Sequence, residues 1–207
     1  MLYYVSMNET DEILVELSKN GNNAAFNILV ERHIDHIYNF VKQYCKENED
    51  ADDITQSSFI KAWKHIKSFK TGNKFTTWLF TIARNTALDH IKKRRSYSFS
   101  QMDIFGSNSR SGNSNGDNGD MSFVDTLKDP EPLPSEVFQR NELAIELSLA
   151  METLPQDWRA VLVMHYTDEM TFEDIAMVLG RPMNTVKSWH RRSLIKIREM
   201  LILHHND

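Results

Sequence analysis

Several things that would classify a chain quickly are missing here. There is one cysteine, Cys45, in 207 residues; this excludes an intramolecular disulfide, points to a reducing compartment, and leaves helix packing as the expected role of the thiol. Long apolar runs are also absent, since the longest, around Ala160 to Met164, is far short of the roughly 18 residues a membrane span needs. The opening MLYYVSMNETDE has no basic stretch ahead of an apolar one, so no signal peptide is expected and the cytoplasm is the expected location. Met7 begins an acidic start, and Met1 to Ser6 are expected to be an extension outside any core. No alternating β-branched runs with hairpin turns occur, which makes strands unexpected, and no repeat of solenoid length is present. Positive charge is in deficit: 24 Lys and Arg against 29 Asp and Glu give a net charge of −5. An evenly basic surface is thereby excluded, while a local basic face is not.

What is present is ordinary soluble composition, 41% apolar and 26% charged, organised around one sharp break. From about Ser96 to Ser135 the chain contains GSNSRSGNSNGDNGD and then the proline-punctuated DPEPLPS, which cannot bury enough apolar surface to offset the entropy of ordering. The expected organisation is all-α: two small helical domains, residues 10–95 and 136–203, joined by a flexible acidic linker over 96–135. Asp103, Asp117, Asp120, Asp125, Asp129 and Glu131 outnumber Arg110 and Lys128 in that linker.

In the first domain Phe26, Val30, His33, Ile37, Val41 and Tyr44 recur every three or four residues and form one helical stripe. A second helix is predicted to start in Glu49-Asp50-Ala51-Asp52-Asp53, where carboxylates meet the positive end of the helix dipole, and to run to about Ile66. A third is predicted from about Phe75 to Arg95, burying Trp78, Leu79, Ile82, Ala83, Ala87 and Ile91. After the linker, Leu143, Leu147, Ala150 and Leu154 form a stripe that Pro155 ends, and Trp158, Val161, Leu162 and His165 predict a short helix.

The segment from Thr171 to Leu201 is the most informative. Thr171 and Asp174 have capping-box spacing, and Ile175, Ala176 and Leu179 form an inward face. Gly180 falls where a tight inter-helix turn requires positive φ; Pro182 stops the first helix, and Asn184 or Thr185 is placed to cap the next, predicted over about Thr185 to Met200. Val186, Trp189, Leu194, Ile197 and Leu201 are expected to be buried. Arg181, Lys187, Arg191, Arg192, Lys196 and Arg198 then supply positive charge, with no carboxylate between Arg181 and Arg198. A helix-turn-helix with a basic second helix is suited to base edges in the major groove and flanking phosphates.

At this point the residues match a family. LPQDWRAVLVMHYTDEMTFEDIAMVLGRPMNTVKSW resembles the −35-reading domain of extracytoplasmic-function sigma factors of the sigma-70 family, and EDADDITQSSFIKAW followed by FTTWLFTIARNTALDHIKKRR resembles their −10-reading domain. The resemblance implies a non-enzymatic initiation factor that binds core RNA polymerase through its β′ clamp helices and β flap, reads the −35 and −10 promoter elements, and assists melting at −10. It also implies a cognate anti-sigma factor and a linker threaded toward the RNA exit path, although the residues of the linker equally fit a plain solvated tether. By the same resemblance Asp50, Asp52, Asp53, Gln56 and Phe59 contact the polymerase. Lys70, Asn73, Lys74, Phe75, Thr76, Thr77, Trp78, Arg84, Lys92 and Lys93 are assigned to the −10 element. Thr185, Lys187, Ser188, Arg191, Arg192 and Lys196 are assigned to the −35 element. The chain departs from the family at Trp189-His190, where Arg followed by Leu or Ile is usual.

Two other functions compete with this one. A ligand-sensing DNA regulator would need a sizeable pocket in its N-terminal domain, whereas Asp11 to Arg95 has the pattern of a compact helical unit with a basic end. A metallohydrolase would use the histidines, yet His33 and His36 have no carboxylate or thiolate at ligand spacing, and no glycine-rich phosphate loop or nucleophile motif occurs. No metal and no cofactor are therefore expected.

Overall fold

The computed structural model describes residues 8–102 and 134–204, with side chains described over 8–94 and 142–202. Most of the expected linker and the expected extension Met1 to Ser6 lie outside the described residues. Every regular element described is helical: α1 (Asp11–Lys19), α2 (Asn23–Lys42), α3 (Asn48–His65), a 3-10 turn (Ile66–Ser68), α4 (Phe75–Met102), α5 (Pro134–Glu152), α6 (Gln156–Tyr166), α7 (Phe172–Leu179) and α8 (Met183–His204).

Helix α1 does not follow from the stripes identified in the sequence. It buries Leu14, Val15 and Ser18 against α2, and Ser18 returns its hydroxyl to the Leu14 carbonyl at 2.7 Å. Asn22 caps α2 by accepting the Ala25 amide N–H at 3.2 Å. Helix α2 buries Phe26, His33, Ile37 and Val41 as the stripe predicts, and adds Leu29 and Phe40. Helix α4 runs seven residues beyond the predicted Arg95, because SYSFSQM contains neither proline nor glycine to stop it.

One apolar cluster runs through α1 to α4 and continues into α6, α7 and the start of α8, from Leu14 to Val186. The two predicted units therefore share a core. The joint is α7 laid against α4, with α6 touching α2. A second, smaller cluster of Ala150, Leu154, Leu162 and Ile197 ties α5 to α6 and α8.

Two expected burials fail. The α5 stripe is half unpartnered, with Leu143 at 54% and Leu147 at 37% exposure. On α8, Leu194 is 40% exposed and Ser193 is buried in its place, since the inward line runs Val186, Ser193, Ile197 with Trp189 and His190 at its edge.

Candidate nucleic-acid and polymerase interfaces

The helix-turn-helix forms much as its local chemistry predicts. Thr171 Oγ1 accepts the Asp174 amide N–H at 3.2 Å, which caps α7, and donates to Asp174 Oδ2 at 2.7 Å. Gly180 ends α7 at φ 57°, in the left-handed region. The cap of α8 differs from expectation. Its first turn closes on the Pro182 carbonyl, which accepts the Val186 N–H at 3.2 Å, so Asn184 and Thr185 lie inside the helix and do not cap it. Proline suits this position because it gives up no needed donor.

With Val186 and Ser193 buried, Lys187, Ser188, Arg191 and Arg192 all face solvent, and Thr185 is half-buried. The unusual pair Trp189-His190 is absorbed into the fold. Arg181 lies over the Trp189 ring at 5.9 Å, while His190 stacks on Tyr166 and its Nε2 lies 3.0 Å from the Tyr166 hydroxyl. Burial, and then the neighbouring His165, holds His190 below the usual histidine range. The Lys196 ammonium donates to the Thr153 carbonyl at 2.9 Å, complementing the negative end of α5.

The loop ahead of α4 rests on three aromatic rings. Phe69 lies 5.3 Å from Trp78 and 6.1 Å from Phe75, and Phe75 lies 5.8 Å from Trp78. Phe75 is 1% exposed and belongs to the core rather than to a stacking platform; Thr77 is buried as well, and Thr76 and Trp78 are half-buried. Above these rings Lys70, Asn73 and Lys74 are exposed. Helix α1 supports the loop, since Thr71 donates to Glu16 Oε1 at 2.8 Å and Lys19 Nζ lies over the Phe69 ring at 5.4 Å. Arg84 is half-buried beside Tyr44. Lys92 and Lys93 are exposed near the far end of α4.

On α3, Asp52, Asp53 and Gln56 are exposed, whereas Phe59 is 7% exposed and packs inward. Asp50 is held by Arg94, which also binds Glu47 at 2.9 Å; the Glu47 bond, then the charges of Asp50 and Glu47, keep the guanidinium above its usual range. Cys45 is half-buried, and burial pushes its thiol up to about 11.

Tertiary structure brings together groups that the sequence keeps far apart. His33 Nε2 lies 2.7 Å from Asp11 Oδ2, and Arg32 holds the other oxygen of the same carboxylate. Burial would raise Asp11, yet these bonds leave it below the usual carboxylate range. His36 Nδ1 lies 2.6 Å from Asp168 Oδ1, 132 positions away. Among the described residues no group of three or more His, Cys, Asp or Glu is placed to hold a metal ion, and no helix is long and apolar enough to cross a membrane.

Comparison with known proteins agrees with this geometry. Residues 29–97 match the family model for sigma-70 region 2, and residues 144–197 match that for sigma-70 region 4. The chain is 33% identical over 181 residues to the ECF RNA polymerase sigma-E factor of Salmonella typhimurium, covering 86% of this chain and 87% of that protein. It is 30% identical over 183 residues to the RNA polymerase sigma-H factor of Pseudomonas aeruginosa, covering 87% of this chain and 88% of that protein. In fold it resembles the sigma factor RpoE of Bartonella quintana, solved with its anti-sigma factor NepR, with a TM-score of 0.61 at 20% identity over 85% of this chain and 96% of that one. Two family models in order on one chain, with relatives at this identity along most of their length, lead to one conclusion: the chain belongs to the sigma-70 family as an extracytoplasmic-function RNA polymerase sigma factor, which directs promoter-specific transcription initiation.

Proposed function

We propose that residues 10–95 dock on the polymerase and read the −10 element, that residues 96–135 link the two readers, and that residues 136–203 read the −35 element. The observation that carries this assignment is the exposed side of α8, where Lys187, Ser188, Arg191 and Arg192 face solvent opposite the buried Val186 and Ser193. Such a helix can bring Lys187, Ser188 and Arg192 to base edges and Arg191 to a phosphate. In the N-terminal unit the exposed Lys70, Asn73 and Lys74, with the half-buried Thr76, form a polar, cationic rim suited to the base edges and backbone of a melting duplex. Lys92 and Lys93 extend that charge for phosphates, and Asp52, Asp53 and Gln56 offer an acidic surface for the β′ clamp helices. The exposed Leu143, Ile145 and Leu149 of α5 suit an apolar contact with the β flap.

The chain acts in the cytoplasm with RNA polymerase, without metal, cofactor or catalytic chemistry of its own. An anti-sigma factor, as in the solved RpoE complex, controls its availability. Run-off transcription with core polymerase on genomic fragments tests the proposal. Promoter-specific products are expected, and Lys187→Ala should reduce those from −35-dependent promoters by the equivalent of about 1–3 kcal/mol. A chain that neither binds polymerase nor yields any specific product would sink the assignment, and stoichiometric zinc in the purified protein would count against the metal-free part.

A further inference from the structure

Trp189 stands where the family usually carries an arginine, so α8 lacks a cation at this place. The Trp189 ring is half-buried and packs against the large apolar cluster, and the Arg181 guanidinium lies over it at 5.9 Å. An indole face attracts a guanidinium and orders it without neutralising its charge, as a carboxylate would. Arg181 is exposed, and among the described residues it forms no ion pair with a carboxylate. Its backbone is held as well, since the Arg181 N–H donates to the Ala176 carbonyl at 3.1 Å directly after the left-handed Gly180. On a helix, a residue lies beside those three and four positions away. For Trp189 these include Arg192 and Thr185, both assigned to the −35 element, so the ring borders the proposed DNA-facing side of α8.

We propose that Arg181 is a further DNA contact of this protein: carried on the Trp189 indole, its guanidinium binds a backbone phosphate beside the bases that α8 reads. The turn between α7 and α8 thereby supplies the charge that position 189 lacks, and Trp189 is its positioning residue. The proposal rests on the assignment of α8 to the −35 element. A guanidinium suits this ligand because its planar fork donates two N–H bonds to two phosphate oxygens. A phosphate contact fixes register and carries no sequence information, so Arg181 contributes affinity and not base choice. An arginine that only stiffened the turn would leave the salt dependence of binding as it is.

The test measures equilibrium binding of the full chain, assembled with core polymerase, across a range of salt. The probes are a fluorescent duplex bearing a promoter recovered by run-off transcription and the same duplex with its −35 bases exchanged. Arg181→Ala should lower the slope of log affinity against log salt by about 0.9, the value for one phosphate, and weaken both duplexes by the same factor. Trp189→Leu keeps the charge but removes its platform, and should weaken binding in the same direction by less. Lys187→Ala, at a base-reading position, should instead narrow the difference between the two duplexes. An unchanged slope in Arg181→Ala, with or without loss of affinity, would overturn the phosphate contact where Lys187→Ala behaves as stated. If Lys187→Ala leaves the discrimination intact, the assignment of α8 to the −35 element fails and the contact with it.

Discussion

In the N-terminal unit large side chains meet one another: Phe40 lies 5.0 Å from Phe80 and 5.4 Å from Tyr44, and Phe40, Phe75 and Phe80 are all within 1% of full burial. In the C-terminal unit the burial is borrowed. Ile175 and Leu179 are buried in a cluster shared with α4, whereas Leu143, Ile145 and Leu149 on α5 remain more than half exposed. One large cluster joins the two units, and the second adds only the small cluster of Ala150, Leu154, Leu162 and Ile197. A small helical unit with an exposed apolar surface of this kind has area left to cover on a partner.

The comparison can be broken most severely at Phe40. Phe40→Ala should cost about 3–5 kcal/mol in urea unfolding, because its fully buried ring leaves a cavity that helices on several sides cannot collapse into. Loss of the C-terminal unit with it, in one transition, would show that the second unit depends on the first; two well-separated transitions would refute the shared core.

A smaller effect of opposite sign is expected at Glu169. This residue sits at φ 50° in the turn between α6 and α7, where a side chain is strained. Glu169→Gly should raise stability by about 1 kcal/mol, and a melting temperature that falls would show that the Glu169 side chain compensates for its backbone.

The His36–Asp168 contact sharpens the comparison through pH. The bond to Asp168, opposed by burial and aided by the charges of Asp168 and Asp35, raises His36 above its ordinary 6.5. Burial raises Asp168, with its His36 bond and the charges of His36 and His33 pulling the other way. A histidine raised in the folded state contributes stability below 6.5 and loses it as pH climbs through the raised value. This contact between the two units should therefore be firmest in mildly acidic solution and weaken as pH rises above 6.5, by less than about 1 kcal/mol because His36 is 44% exposed. Scattering across that range measures it, and an identical profile in His36→Gln would refute the role of this pair.

The smallest effect is expected where burial is least. Leu149→Ser on the open face of α5 should change stability by under about 0.5 kcal/mol. A cost several times larger would mean that this face is covered in the free chain.

Much of this molecule was legible in its sequence, where local chemistry dominates. The Thr171 cap of α7, the positive φ of Gly180 and the acidic start of α3 are satisfied within a few residues, so spacing alone reveals them. Helix α1 was harder to recognise because it is short, and its buried residues take their meaning from α2. Phe59, Phe75, Arg84 and Lys196 carry side chains suited to binding, yet the first two also pack in the core and the last two lie against Tyr44 and Thr153. Residue type could not separate these uses, because an aromatic or a cation serves a partner and a neighbouring helix equally well.

The sequence by itself determined that the chain is helical, that a basic helix follows a tight turn, and which family it belongs to, since these depend on periodicity, caps and motif order. Only the tertiary structure decided the orientation of α8 around Trp189 and His190 and the pairing of Asp174 with Lys74 and of Asp168 with His36. Those contacts join residues 100 and 132 positions apart, where no local rule relates one residue to the other and only the packing of α6 and α7 on α2 and α4 makes them neighbours.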